Sequence, residues 1–267
     1  MLRRLVLVGL LAACSRGGGD ATAPPGVRVV SLMPSGTEIV AALDAAPLLV
    51  GVDQYSEYPE SVKALPKVGS FLAPDIEAIV RLKPTFVVLD DVHGQVAAAL
   101  HDHGVATVGC AVHALSDVKA CMRAVGTRLG TPAVADAAIA AIDRALDAAA
   151  AKRPAQHPRV LAIIDRDPDG LGNLVAAGPG SYLDELLAVV GADNVLAATG
   201  ERYPKIAVEE VLRARPEVIL DLSGHGADAW KQLGLPARVH SLTADYLRGP
   251  SPRVAPALEA LSAALRP

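Results

Sequence analysis

The sequence predicts an α/β fold built as two lobes, and three observations carry that prediction. Short apolar runs alternate with helical segments on both sides of the chain's middle, the pattern of parallel strands covered by helices on both faces. One phrase is written twice, as "DIEAIVRLKPTFVVLD" over 75–90 and "AVEEVLRARPEVILDL" over 207–222. Each copy has a Glu opening a helical turn, a Pro seven residues later and an Asp at the end of an apolar run: Glu77, Pro84, Asp90 and Glu209, Pro216, Asp221. A spacing of about 130 residues is too long for a solenoid repeat and fits paired lobes. Third, residues 116–153 interrupt the alternation with two helices and no strand.

The elements follow in order. Arg28 to Leu32 reads as a buried strand, and Ser35 with Glu38 three residues on forms a capping box that starts a helix. "PLLVGV" (47–52) is a second strand, 53–74 a long Pro-rich connection, 75–82 a short helix, 85–90 a strand, 94–102 a helix and "GVATVGC" (104–110) another strand. "SDVKACMRAVGTRLG" (116–130) is a helix. Thr131 then caps a second one, with Pro132 at its first position and an Ala-rich run to 153. About twenty helical residues span about 30 Å. Such a helix serves either as a strut between lobes or as ordinary cover, and the residues alone leave both open. After "PAQHP" the alternation resumes with a strand in "RVLAII", a helix in "SYLDELLAVVG", a short strand in "NVLAA", the Glu209 helix, a strand in "EVILDL", a helix in "DAWKQLG" and a strand in "ARVHSLT".

The amino terminus has the form of a bacterial lipoprotein signal. "MLRR" supplies positive charge, "LVLVGL" a short apolar region and "LAAC" a small-residue cleavage site ending at Cys14. In that reading residues 1–13 are removed, Cys14 carries lipid, and 14–26 form a polar Gly/Pro-rich tether. The other reading is an ordinary secretory signal in which Cys14 is incidental. No later stretch is apolar and long enough to cross a bilayer, so the expectation is a body held at a membrane surface by the anchor alone. An exported compartment permits a disulfide between Cys110 and Cys121, and two small buried thiols is the alternative.

Composition narrows the function. With 51% apolar residues the 267-residue chain can bury a core in each lobe. Its 25 bases and 29 acids are well mixed, and removal of Arg3 and Arg4 with the signal leaves 23 bases against 29 acids. Without a basic stripe, nucleic acid is not an expected partner. No G-x-S-x-G, G-x-x-x-x-G-K-[ST], H-E-x-x-H or G-x-G-x-x-G motif occurs. The seven histidines are scattered, and neither catalytic residues nor metal ligands are expected. Of the eight aromatic residues, Tyr55, Tyr58, Phe71, Tyr203 and Tyr246 fall in connections beside strands and helices. In open α/β sheets such connections line the ligand crevice, so these rings suggest a bulky, partly apolar ligand; the plainer reading is that they pin long loops to the sheet.

"RVVSLMPSGTE", "VGVDQYSEYPESVKALPKVGSF", "IEAIVRLKPTFVV", "AVEEVLRARPEVIL" and "SLTADYLRGPSPRVAPALEAL" together resemble the helical-backbone class of ABC-transporter substrate-binding proteins. Within it, the nearest resemblance is to the vitamin B12 (cobalamin) binding proteins. The resemblance implies two doubly wound α/β lobes, 27–130 and 155–267, joined by a single long helix over 131–154, with the ligand cleft between them and little hinge motion. It implies a periplasmic, lipid-anchored monomer with no cofactor and no chemistry of its own, which delivers cobalamin to a permease dimer. Glu77 and Glu209 match the glutamates that dock onto permease arginines. The family's ligand site maps to Pro34, Ser35, Tyr55, Phe71, Asp245, Tyr246 and Arg248. Asp90 stands at the cleft end of its strand, and Tyr203 joins the set as a crevice aromatic. Cobalamin binders carry Trp where this chain has Phe71, Tyr246 and Asp90, which leaves haem, another corrinoid or a ferric siderophore as alternative ligands.

Overall fold

The computed structural model describes residues 26–266. Cys14, the signal and most of the tether lie outside the described residues. Strand β1 (Val29–Ser31) leads into helix α1 (Pro34–Ala42), then β2 (Leu49–Val52), α2 (Ile76–Arg81), β3 (Phe86–Asp90), α3 (Gly94–Asp102) and β4 (Ala106–Cys110). These strands form an all-parallel sheet in the order β2-β1-β3-β4. The chain leaves β1 toward one edge and returns on its other side at β3. A crevice therefore opens at the carboxyl ends of β1 and β3, where the connections diverge.

Helices α4 (Leu115–Leu129) and α5 (Pro132–Ala150) follow, separated by Gly130, whose left-handed φ of 74° turns the chain between them. α5 packs on α4 on one side and on α6 and α9 on the other, so it bridges the lobes as well as covering them. The second half runs β5 (Arg159–Asp165), β6 (Leu174–Ala176), α6 (Tyr182–Val189), β7 (Asp193–Asn194), β8 (Lys205–Ile206), α7 (Val208–Ala214), β9 (Val218–Asp221), β10 (Arg238–Ser241), α8 (Asp245–Arg248) and α9 (Val254–Leu265). Its sheet has the order β10-β9-β5-β6-β8, with β7 parallel to the start of β5.

The repeated phrase folds the same way twice. α2 ends at Arg81, with Leu82 as its cap, and α7 at Ala214; Lys83 (φ 49°) and Arg215 (φ 46°) then take the left-handed conformation, and Pro84 and Pro216 follow. A residue before proline is disfavoured in the helical region, so each helix must stop there and the chain turns directly into a buried strand.

Several expectations are corrected. The second sheet is mixed: β6 runs antiparallel to both β5 and β8. The Asp/Gly/Pro-rich run after β5 reverses the chain in a hairpin, which needs no covering helix. Of "NVLAA" only Asn194 lies in a strand, as the second residue of β7, because its carboxamide bonds Ala177 O and Asp184 and accepts from Leu196 N–H, folding the chain into a turn. "DAWKQLG" is a 3₁₀ segment, Asp228–Leu233. Ser35 does not cap α1. Met33 is the residue before the helix, Pro34 is its first residue, and Glu38 points to Arg253 and Ser251. Thr131 stands at the cap position of α5, but its hydroxyl accepts no capping bond.

Each sheet has a helical layer on both faces. α2 and α3 close one face of the first sheet around Val30, Val87 and Leu100. α7 and the 3₁₀ segment close one face of the second around Leu161, Ile219 and Trp230. The two inner faces share one continuous apolar cluster through α1, α4, α5, α6 and α9, including Val29, Met122, Ile139, Leu183 and Leu258. At about 25 cal/mol per Å² of apolar surface, this shared burial is the main attraction between the lobes.

Cys110, at the end of β4, is bonded to Cys121 in α4, both buried at the edge of that cluster and 11 residues apart. A loop of this length costs the unfolded chain conformations equivalent to about 3 kcal/mol. Replacing both cysteines with Ala should lower unfolding free energy by about that amount. Urea titrations of wild type and variant, with and without reductant, check this: reductant should destabilise only the wild type.

Candidate ligand cleft

The lobes meet at a cavity of about 540 Å³ facing the carboxyl ends of the first sheet's strands, within the range of small-molecule sites. The first lobe lines it with Pro34, Ser35, Glu38 and Tyr55 to Tyr58; the second with Asp245, Arg248 and Gly249 to Ser251.

The first wall is built from below. Asp53 at the end of β2 is 1% exposed; its carboxylate accepts from Tyr55 N–H at 2.9 Å and from the Ser56 hydroxyl. The Ser56 and Thr37 hydroxyls lie 2.7 Å apart, and Lys67 donates to Ser56 O at 2.8 Å. Burial raises the Asp53 carboxyl above its usual range, against the lowering effect of those donors and of Lys67. The turn is thus tied down from inside while Tyr55, 61% exposed, and Tyr58, 44% exposed, project outward.

The inner wall is ionic. Arg253, just before α9, reaches Glu38 through Nε at 3.0 Å and through Nη2, and Asp245 through Nη1 at 3.0 Å and Nη2 at 2.9 Å. Its guanidinium lies 4.0 Å from the Tyr58 ring centroid and 5.0 Å from that of Tyr246. Burial by itself would lower its pKa; the hydrogen bonds to Glu38 and Asp245 outweigh burial and hold it above the ordinary value. Burial likewise works to raise Asp245, and Arg253 outweighs it, holding that carboxyl below its usual range. Ser251 donates its hydroxyl to Glu38, and Tyr182 donates to Ser251 O at 3.3 Å.

Below the second lobe's loops lies a fully enclosed pair. Arg166, just past β5, meets Asp221 at 2.9 Å with both side chains at 0% exposure. Asp221 also accepts from Trp230 Nε1–H at 2.6 Å and from Ser223 N–H and Oγ–H. Arg166 donates onward to Asp167 O, Gly170 O and Gly226 O, tying two loops to the strand ends. Burial pushes Asp221 upward, but the bonds from Ser223, Trp230 and Arg166 win and keep it ionised below the usual range.

Of the residues expected at a ligand site, Pro34, Ser35, Tyr55, Asp245 and Arg248 come together here, with Tyr246 beside them on Arg253. Three do not reach this cavity. Phe71 packs edge-on against His93, ring centroids 4.8 Å apart. Asp90 is buried in its own turn, accepting from Val92 N–H while its N–H donates to His93 Nδ1, and His93 Nε2–H donates to Phe71 O. Burial, then the neighbouring Asp91, raises the Asp90 carboxyl. Tyr203 sits on a loop drawn toward 178–180 instead: Arg202 donates to Gly180 O, and a side chain at Gly178 would strike Glu201 O at 2.0 Å. Glu77 and Glu209 are exposed in the first turns of α2 and α7, while neighbouring Glu210 turns back to accept from Ala207 N–H. Sequence reasoning missed Arg253, and Glu38 as its partner, because no local signal links residues 215 apart. Among the described residues no cluster of three or more His, Cys, Asp or Glu side chains is arranged for a metal, and no helix is long and apolar enough to cross a membrane.

Two helix-bridged α/β lobes with a polar, phenol-rimmed cavity between them have the form of a two-lobed binding protein. The chain belongs to the periplasmic binding protein family, whose model, described as "Periplasmic binding protein", matches residues 29–236. The vitamin B12-binding protein of Vibrio cholerae serotype O1 is 27% identical over 247 residues, covering 88% of this chain and 87% of that one. Among solved structures, a periplasmic heme-binding protein from Roseiflexus sp. RS-1 in apo form matches with a TM-score of 0.78 and 29% identity, covering 90% of this chain and 99% of that one. The crystal structure of a periplasmic vitamin B12-binding protein of Vibrio cholerae gives 0.75 and 26%, covering 89% and 96%.

Breaking a buried pair from one side leaves an uncompensated charge, so Asp221→Ala should cost about 3–5 kcal/mol. Because Asp221 titrates below its ordinary value, its contribution is present at neutral pH and is lost as pH falls through the folded-state pKa, below the usual carboxylate range. Unfolding followed by Trp230 emission from pH 7 to about pH 2 should show the wild-type advantage over Asp221→Ala holding through neutral pH and shrinking only as pH drops below the usual carboxylate range.

Proposed function

We propose that this protein is the lipid-anchored substrate-binding component of an ABC importer, and that its cleft takes cobalamin or a related corrinoid for delivery to the permease without altering it. The observation carrying the ligand choice is the charge of the cavity. Glu38, Glu57 and Asp245 stand against Arg248 and Arg253, one more acid than base. A corrin ring fringed by neutral amides suits phenol faces and mixed donors and acceptors, whereas haem brings two carboxylates into a site already net negative. The names of the Vibrio cholerae relatives support the same reading.

Haem is the second reading, favoured by the heme-binding structural relative and by Arg248, which lines the cavity and forms no ion pair among the described residues. In either reading Pro34, Ser35, Tyr55, Tyr58, Asp245, Tyr246 and Arg248 meet the ligand. Cys14 carries the lipid that keeps the protein at the membrane, and Glu77 and Glu209 present one carboxylate from each lobe to a two-fold permease. Surface charges of this kind set registry and encounter rate more than affinity.

Titration of the purified protein with cyanocobalamin, haemin and ferric siderophores, followed by ligand absorbance, separates the readings. Cyanocobalamin should bind with a Kd below about 100 μM, and failure of every ligand to reach about −5.5 kcal/mol removes the transport reading. For docking, Glu77→Lys combined with Glu209→Lys should abolish uptake in cells while leaving ligand affinity unchanged. A fall in affinity instead would mean these side chains belong to the cleft.

A further inference from the structure

Glu38 and Arg253 come from different lobes, yet their side chains meet at the inner wall of the cleft at 9% and 15% exposure. Four of the five guanidinium N–H groups are consumed: Nε and one Nη2 hydrogen on Glu38, one Nη1 hydrogen and the other Nη2 hydrogen on Asp245. Its two ring partners also come from opposite lobes, Tyr58 at 4.0 Å from the first and Tyr246 at 5.0 Å from the second. Ser251 anchors the arrangement by donating to Glu38.

A desolvated ion pair is a weak source of net stability compared with well-packed apolar groups. A planar fork bonded to two carboxylates does impose geometry, however, because few relative positions satisfy all its bonds together. Rotation of the lobes about α5 would pull Glu38 and Tyr58 away from Asp245 and Tyr246, and one side chain holds both sets. With its donors directed inward, Arg253 has little to offer a ligand.

We propose that Arg253 is an interlobe clamp, a positioning residue that fixes the width of the cleft by holding Glu38 and Tyr58 of one lobe against Asp245 and Tyr246 of the other. The clamp acts in the unliganded protein; its bearing on affinity rests on the proposed function.

Spin labels on Leu72→Cys and Thr243→Cys, exposed positions of the two lobes, report the interlobe distance in the full chain carrying Cys14→Ser. The otherwise wild-type chain should give one narrow distance population. Glu38→Gln and Arg253→Met should each broaden it, and Arg253→Lys, which keeps the charge but not the fork, should fall between. Leu100→Ala, a core deletion under the first sheet, should lower thermal stability and leave the distances unchanged. Unaltered distances in both Glu38→Gln and Arg253→Met overturn the proposal, as does equal broadening by Leu100→Ala. Cyanocobalamin affinity should fall about tenfold in Arg253→Met, a loss of about 1.4 kcal/mol. A wild type that binds neither cyanocobalamin nor haemin, while its variants still broaden, removes the ligand reading and supports the clamp.

Discussion

The apolar cluster shared by the two inner sheet faces is the constraint on which the rest of the structure depends. Neither lobe completes its own core: α4, α5, α6 and α9 pack against one another, so Val29 of the first sheet and Leu220 of the second belong to the same cluster. Two sheets closed by a common layer cannot slide freely, because packed interiors have few alternative arrangements. The cleft begins where this apolar contact stops. There the wall changes from aliphatic side chains to Glu38, Ser251 and Arg253, whose polar groups pair with one another across the lobes, so little bare charge is left at the floor of the cavity.

The duplicated phrase preserved its fold and diverged in its chemistry. Asp90 and Asp221 close equivalent strands, and both are buried. Asp221 gained Arg166 and Trp230 and became a fixed anion under the second lobe's loops. Among the described residues Asp90 has no Lys or Arg partner. It caps a short turn beside Asp91, and its carboxyl is pushed toward the neutral form. The position in the repeat gave each aspartate its place at a strand end, and unrelated loops supplied the neighbours that set its charge.

What could be read from the sequence divides along the range of the forces involved. β1, β3, α2, α3, α5 and α7 were legible because periodicity, a proline stop and a first-turn acid act within one or two turns of chain. The two-lobed order was legible because the pattern recurs. The β5–β6 hairpin was missed because "LVA" is too short to carry a period, and α9 was not among the elements read from the residues themselves. At the cleft, loop tyrosines and Asp245 could be picked out by residue type. Glu38 was assigned to a cap because Ser35 stands three residues before it; the cation that claims it arrives from the far end of the chain. Asp90, Phe71 and Tyr203 were placed by strand-end position and residue type, which cannot foresee a histidine that binds two of them to each other or a loop drawn away toward a glycine.

α5 opens an apolar surface at mid-chain, and part of it waits for α9, more than a hundred residues later. Leu258 and Leu261 of α9 are buried within the shared cluster, and Arg253 stands immediately before the first turn of that helix. Seating the final helix against α5 therefore carries the guanidinium to Glu38 in the same movement. Completion of the interior and setting of the cleft are one event, so a chain whose last helix is displaced loses the shape of its binding site along with its core.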